Sequence, residues 1–186
     1  MASALYISNP LGGGHAWLSW LFYTLILEML LVLFVIDLKH FILPDKILLT
    51  ILVIFLAYML IGTLTGINDP LQQVITLKSR ALGIAIFGGI LFLLWLLSKG
   101  RAVGLGDAKF LSVLALIFGL RGTLVIFYSS LIVGMVFGIV MLLFNLAGLK
   151  SKLPFGTFLA GSASLYIFTW QKAIDYLNNL FLKAFT

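Results

Sequence analysis

The sequence predicts an all-α fold: a polytopic membrane helical bundle of about six transmembrane helices with a short C-terminal interfacial helix. Three observations predict it. Hydrophobic residues make up 62% of the chain and charged residues 10%, against roughly 45–50% and about 25% in soluble domains. The apolar residues gather into six runs, five of them long. Lys and Arg collect between the runs, as membrane proteins require. The 186 residues leave room for one membrane domain and little else. The net charge of +6 has no basic patch with interleaved aromatics outside the apolar runs, so no nucleic-acid partner is expected. Cysteine is absent, which excludes disulfides and thiolate metal sites.

Each element follows from the length rule that a bilayer-spanning helix needs about 20 apolar residues. Residues 1–17 form a lead-in: they lack the basic start of a signal peptide and contain Gly12-Gly13-Gly14. Leu18 to Ile36 is the first run, interrupted only by Glu28. Ile47 to Ile67 is the second and carries no charge. Ala81 to Ser98 is the third, with Gly83, Gly88 and Gly89 allowing close helix contacts. Phe110 to Leu120 is the fourth. It is short, and becomes long enough only by starting near Asp107 or by tilting. Gly122 to Leu149 is the fifth and Leu153 to Gln171 the sixth. Residues 18–172 are therefore the membrane domain. Residues 173–186 place Ile174, Leu177, Leu180, Phe181 and Phe185 at helical spacing among polar residues, which reads as an amphipathic helix lying in the interface.

Six crossings divide the loops between two sides. One side holds Lys39, Lys46, Lys99, Arg101, Lys109, Lys150 and Lys152; the other holds Lys78, Arg80, Arg121, Lys172 and Lys183. The bias of seven to five favours the first side as cytoplasmic, with both termini outside. Asp37, Asp45 and Asp107 all fall on that first side.

Those carboxylates are the chemistry-bearing residues. An acidic residue at the edge of a membrane helix is expensive and needs a reason to be there. Asp37 ends the first run, and Asp107 opens the fourth within Gly104-Leu105-Gly106-Asp107. With those helices side by side, the two carboxylates reach hydrogen-bonding distance and share one proton, because two like charges that close do not both ionise comfortably. One then acts as general base on a water while the other protonates the scissile carbonyl oxygen. Such hydrolysis calls for no metal, cofactor or covalent intermediate.

Supporting roles fall to four neighbours. Gly104 and Gly106 permit positive φ or a close backbone approach, as a substrate strand would need. Lys109 is placed to position or screen a carboxylate. Asp45, after Leu43-Pro44, suits a helix N-terminus by capping and dipole, or joins the site directly. Asp107 alone has a plainer reading as an N-cap, and Asp37 one as a helix end neutralised by Lys39 or Lys46. Glu28 lies mid-span and is expected to pair with a polar group inside the bundle. His15 and His40 show no ligand spacing.

Taken in order, Ile36-Asp37, Leu43-Pro44-Asp45, Gly104-Leu105-Gly106-Asp107-Ala108-Lys109-Phe110 and Pro154-Phe155-Gly156 resemble the prepilin peptidases. These are the type IV leader peptidases, bacterial relatives of the archaeal preflagellin peptidases. The resemblance runs from about Leu18 to Trp170. It implies that Asp37 and Asp107 are the catalytic pair. It also implies a substrate: a prepilin-like precursor whose short basic leader is cut off next to a glycine, on the cytoplasmic side of the bacterial inner membrane. Many bacterial members also N-methylate the new terminus, using a region with two Cys-x-x-Cys pairs and an additional preceding span. The cysteine-free sequence gives that second activity no support: either this is a peptidase-only member or an N-terminal part is missing. Thr157 departs from the pattern, since a proline often follows Pro-Phe-Gly.

Two other classes compete. A presenilin-like intramembrane protease predicts a Tyr-Asp pair and a Pro-Ala-Leu motif, and neither occurs. A small transporter or channel using Glu28, Asp37 and Asp107 as ion sites predicts internal repeats, and none is evident. The precursor cut and the oligomeric state are not legible in the sequence.

Overall fold

Buried residues spaced three and four apart settle which face of each helix turns inward. A computed structural model describes the backbone of residues 16–65, 75–100, 104–144 and 154–184, and the side chains of 17–65, 75–100, 104–144 and 154–169. The lead-in 1–15 with His15, the cations Arg101, Lys150 and Lys152, and the side chains of the C-terminal segment lie outside these residues.

Helix α1, Ala16–His40, buries Ser19, Phe22, Ile26, Leu30, Leu33 and Asp37 along one stripe. Helix α2, Asp45–Thr65, answers with Leu48, Ile51, Phe55 and Tyr58. The two run antiparallel. At one end Phe22 stacks on Tyr58, with ring centroids 4.1 Å apart, and the Ser19 and Tyr58 hydroxyls are hydrogen-bonded at 2.8 Å. At the other end sits Asp37. The opposite faces carry Trp20, Leu31, Val35, Leu49, Val53 and Leu60, all exposed. A surface this apolar is stable against lipid, not water.

The third run is one helical rod of three segments: α3, Leu77–Gly83; a π-helical stretch, Ile84–Gly89; and α4, Ile90–Ser98. Its glycines serve close packing, as expected, at two of the three positions. A Cβ on Gly83 would stand 3.1 Å from Ala115 Cβ, and one on Gly88 would collide with the Ser112 side chain, whereas Gly89 faces open space.

Helix α5, Leu105–Leu143, joins the fourth and fifth runs, and its helical φ/ψ is broken only at Gly119 (φ 66°, ψ −176°). The chain folds back there. Gly88 packs against Ser112, while its neighbour Phe87 lies 5.4 Å from the Phe127 ring. On a straight helix those two partners would be roughly 22 Å apart. The arm before the break is buried on most sides, through Ala108, Phe110, Leu111, Leu114, Ala115, Ile117 and Phe118.

A helix that ends inside a bilayer must have its last carbonyls satisfied by protein. Arg80 does this: its Nη1 donates to the carbonyl oxygens of Leu116 and, at 3.4 Å, Ile117. Its guanidinium lies 5.1 Å over the Phe55 ring, and the residue is buried. The Leu120 N–H on the far side of the break donates to Ser79 Oγ at 3.0 Å. Arg80 is therefore an interior clamp, where the sequence placed it in a loop.

Helix α6, Phe155–Ala184, runs on through the segment expected to be a separate interfacial helix. Its Tyr166 packs edge-on against Phe118, and its Phe158 lies against Phe137. Among the described residues there is no strand, and four helices are long and apolar enough to cross a membrane: Trp17–His40, Asp45–Thr65, Leu77–Ser98 and Leu105–Leu143. Phe155–Thr169 is a shorter apolar helix. Glu28 departs from expectation. It is exposed on the outer face of α1, not paired inside the bundle, because the inward stripe passes through Ile26 and Leu30 on either side of it.

Candidate active site

Three helix ends meet at one end of the bundle. The last turn of α1 closes with the Phe41 N–H donating to the Asp37 carbonyl at 2.9 Å. Phe41 itself is left-handed (φ 55°), a conformation more often filled by glycine at the end of a helix. The chain then turns Leu43 inward, and Pro44 begins the next helix by accepting from the Ile47 N–H at 3.1 Å. From the other direction, Gly104 enters in an extended conformation (φ −74°, ψ 139°) and α5 starts, with Asp107 in its first turn. Pro154 precedes α6, whose first turn carries Gly156 and Thr157.

The first N–H groups of a helix have no partner within it. In α6 that of Thr157 goes to Asp37 Oδ2, at 2.6 Å, and the Thr157 hydroxyl donates to the same oxygen at 3.1 Å. Asp37 is 4% exposed and Thr157 3%. A carboxylate at a helix N-terminus also gains from the helix dipole. Asp107 is half-buried. Its carboxyl is hydrogen-bonded by the Gly104 backbone and lies within electrostatic reach of Asp37. Two carboxyl groups in one partly dehydrated place can exchange and share a proton.

Leu43 locks the three ends together. A Cβ on Gly106 would lie 3.1 Å from Leu43 Cβ, and one on Gly156 would lie 2.9 Å from Leu43 Cδ2. The close approach that Gly106 permits is thus made by Leu43, with no positive φ. Gly104 is exposed, and its Cβ position lies 3.1 Å from Asp107 Oδ2. Lys109 reaches Asp45: its Nζ donates to both carboxylate oxygens at 2.8 Å. That pair ties the start of α5 to the start of α2. Lys39, His40 and Lys46 are all exposed.

The profile of the type IV leader peptidase family matches residues 24–139, more than half of the chain. The chain belongs to that family. The chain is 32% identical over 135 residues to a protein of Xanthomonas campestris pv. campestris named prepilin leader peptidase/N-methyltransferase. The aligned stretch is 73% of this chain and 45% of that protein, so the chain spans less than half of its relative's length. No solved structure matches it. Asp37, Asp45, Gly104, Gly106, Asp107 and Lys109 all lie inside the matched residues; Gly156 and Thr157 lie beyond them.

The sequence offers Lys39 or Lys46 as partners for Asp37. The partner is Thr157. The available signal was Pro154-Phe155-Gly156-Thr157 read as a helix start, since a first turn offers free N–H groups to an anion. Leu43 was visible only as part of a motif, and nothing in the spacing foretold its place between two glycines.

Proposed function

We propose that the chain is a membrane aspartyl endopeptidase that removes the leader peptide from prepilin-like precursors at the cytoplasmic face of the bacterial inner membrane. The observation that carries this reading is the convergence of Asp37 and Asp107 from two different helices, one buried and hydrogen-bonded, the other half-open. One carboxyl group activates a water and the other protonates the carbonyl oxygen of the scissile bond. Asp45, Lys109, Gly104 and Gly106 support the site and hold the helix starts in register. The lipid bilayer is the remaining partner. We read six crossings, with the fold-back at Gly119 dividing α5 and the first part of α6 as the last. The charge bias of seven to five supports a cytoplasmic site end. The methyltransferase activity in the relative's name stays with that protein; the proposal here is the peptidase reaction alone.

The test uses protein purified in detergent or lipid, a prepilin-like precursor, and mass spectrometry to find the cleaved bond. Cleavage beside the glycine that ends the leader is expected. Asp37→Asn and Asp107→Asn each abolish it while the protein stays folded, because an amide cannot take part in the proton exchange. Turnover close to the parent's in either variant refutes the assignment.

A further inference from the structure

We propose that Thr157 is a positioning residue that makes the Asp37–Asp107 pair unequal. It reserves Asp37 Oδ1 for the attacking water and leaves Asp107 to carry the proton the pair shares. The inference rests on the peptidase reading above and goes beyond it, since two converging carboxylates do not by themselves say which one does what.

The asymmetry lies in the hydrogen bonds. Asp37 Oδ2 receives two donors from one residue, the Thr157 N–H at 2.6 Å and the Thr157 hydroxyl at 3.1 Å. Both come from the first turn of α6, where backbone N–H groups converge and favour negative charge. A proton on Oδ2 would point into those two donors, so that oxygen stays an acceptor. One Asp37 oxygen is thereby fixed, and among the described residues no donor meets the other. Asp107, among the described residues, has a backbone partner at Gly104 and is half-buried. The other charged groups among the described residues at this end are engaged or turned outward. Lys109 is held by Asp45, while Lys39, His40 and Lys46 are exposed. Residues 154–169 of α6 carry no charge at all. The negative charge therefore rests on Asp37 and the proton on Asp107.

The reaction balances on that assignment. A water oxygen forms a bond to the scissile carbonyl carbon, and its proton passes to Asp37 Oδ1. The carbonyl π pair moves to oxygen, which takes the Asp107 proton. The neutral diol then collapses: the C–N bond breaks, the amine nitrogen takes the proton from Asp37, and one diol hydroxyl returns its proton to Asp107. Both aspartates end as they began.

The experiment compares Thr157→Ser, Thr157→Val and Thr157→Pro with the parent, measuring kcat and KM for precursor cleavage and Tm in the same detergent. A charge-assisted hydrogen bond that holds a reacting group is worth about tenfold in rate. Thr157→Val, which loses the hydroxyl, is expected to lower kcat about tenfold with KM within about twofold. Thr157→Pro, which loses both donors, lowers kcat further, and Thr157→Ser restores it to within about twofold of the parent. If valine and proline variants turn over at the parental kcat, the inference fails while the peptidase reading stands. If serine fails to rescue, or if KM and Tm change in place of kcat, Thr157 is a packing residue and the inference is equally overturned. If the parent itself does not cleave the precursor, it is the underlying reading that falls.

Discussion

Adding one methyl group at Gly156 tests the site more sharply than removing an aspartate does. Gly156→Ala creates a Cβ 2.9 Å from Asp37 Oδ2, 3.0 Å from Asp37 Cγ and 2.9 Å from Leu43 Cδ2. Ordinary contact begins at 3.4 Å, so something must give by about half an ångström. The Leu43 tip can rotate, but its Cβ stays beside Gly106, where an added Cβ would stand only 3.1 Å away. The Asp37 oxygen can retreat only by lengthening its bonds to the Thr157 N–H and hydroxyl. Misplacing a reacting group by 1 Å costs about 10²-fold, so a shift of half that size should lower kcat by about tenfold. Stability should change less, because overpacking costs about 1–3 kcal/mol and replacing a helical glycine returns about 0.4–1 kcal/mol. The assay pairs cleavage kinetics on a prepilin-like precursor with thermal unfolding in the same detergent. Parental turnover in Gly156→Ala would show that Asp37 need not stay where Thr157 holds it, and the positional reasoning would be wrong.

Gly119→Ala should be far more damaging to the fold. Its φ of 66° is a conformation side chains rarely adopt, and a Cβ there would stand 2.7 Å from Ile75 Cγ2 and 2.9 Å from Ser79 Oγ, so backbone strain and overpacking together cost about 3 kcal/mol, read as a lower Tm or a loss of folded yield. Asp45→Asn should lower the Tm little, because Lys109 and Asp45 are 43% and 70% exposed and an open ion pair is worth at most about 1 kcal/mol. Cleavage by that variant should fall only partly, and abolition would place Asp45 in the chemistry itself.

Much of the candidate site is legible because its residues are polar in a sequence where polarity is scarce. Asp37, Asp107 and Asp45 stand out at the ends of apolar runs, and each lies at the same end of the bundle. The break at Gly119 falls within a few residues of the boundary drawn between the fourth and fifth runs. What failed was facing. Soluble helices announce their inner side by amphipathic periodicity, but a helix between lipid and protein is apolar on both sides. Glu28 was therefore assigned to the interior, although the stripe through Ile26 and Leu30 leaves it outside. Arg80 was read as a loop cation for a related reason: a charge near the end of an apolar run looks solvated until the carbonyls it serves are seen. The extension of α6 past residue 172 was missed because its polar residues suggested a change of environment, and a helix can pass from one environment to another without a break.

The arm from Leu105 to Phe118 has fourteen residues. At 1.5 Å per residue it rises roughly 21 Å, about 9 Å less than the thickness of a typical hydrocarbon core. Its neighbours are longer, so the shortfall falls at an end of the arm, where it is made up by tilt or by water reaching inward. If Arg80 marks the far boundary, the carboxylates lie several ångströms below the headgroups, where such water would meet them. A substrate helix passing alongside would have its end stripped of oil before any bond is cut. Its last turn would then be free to unwind into the extended shape a peptidase needs. The length of one strut would thus govern how easily the substrate opens, and membrane thickness would become a variable of the reaction.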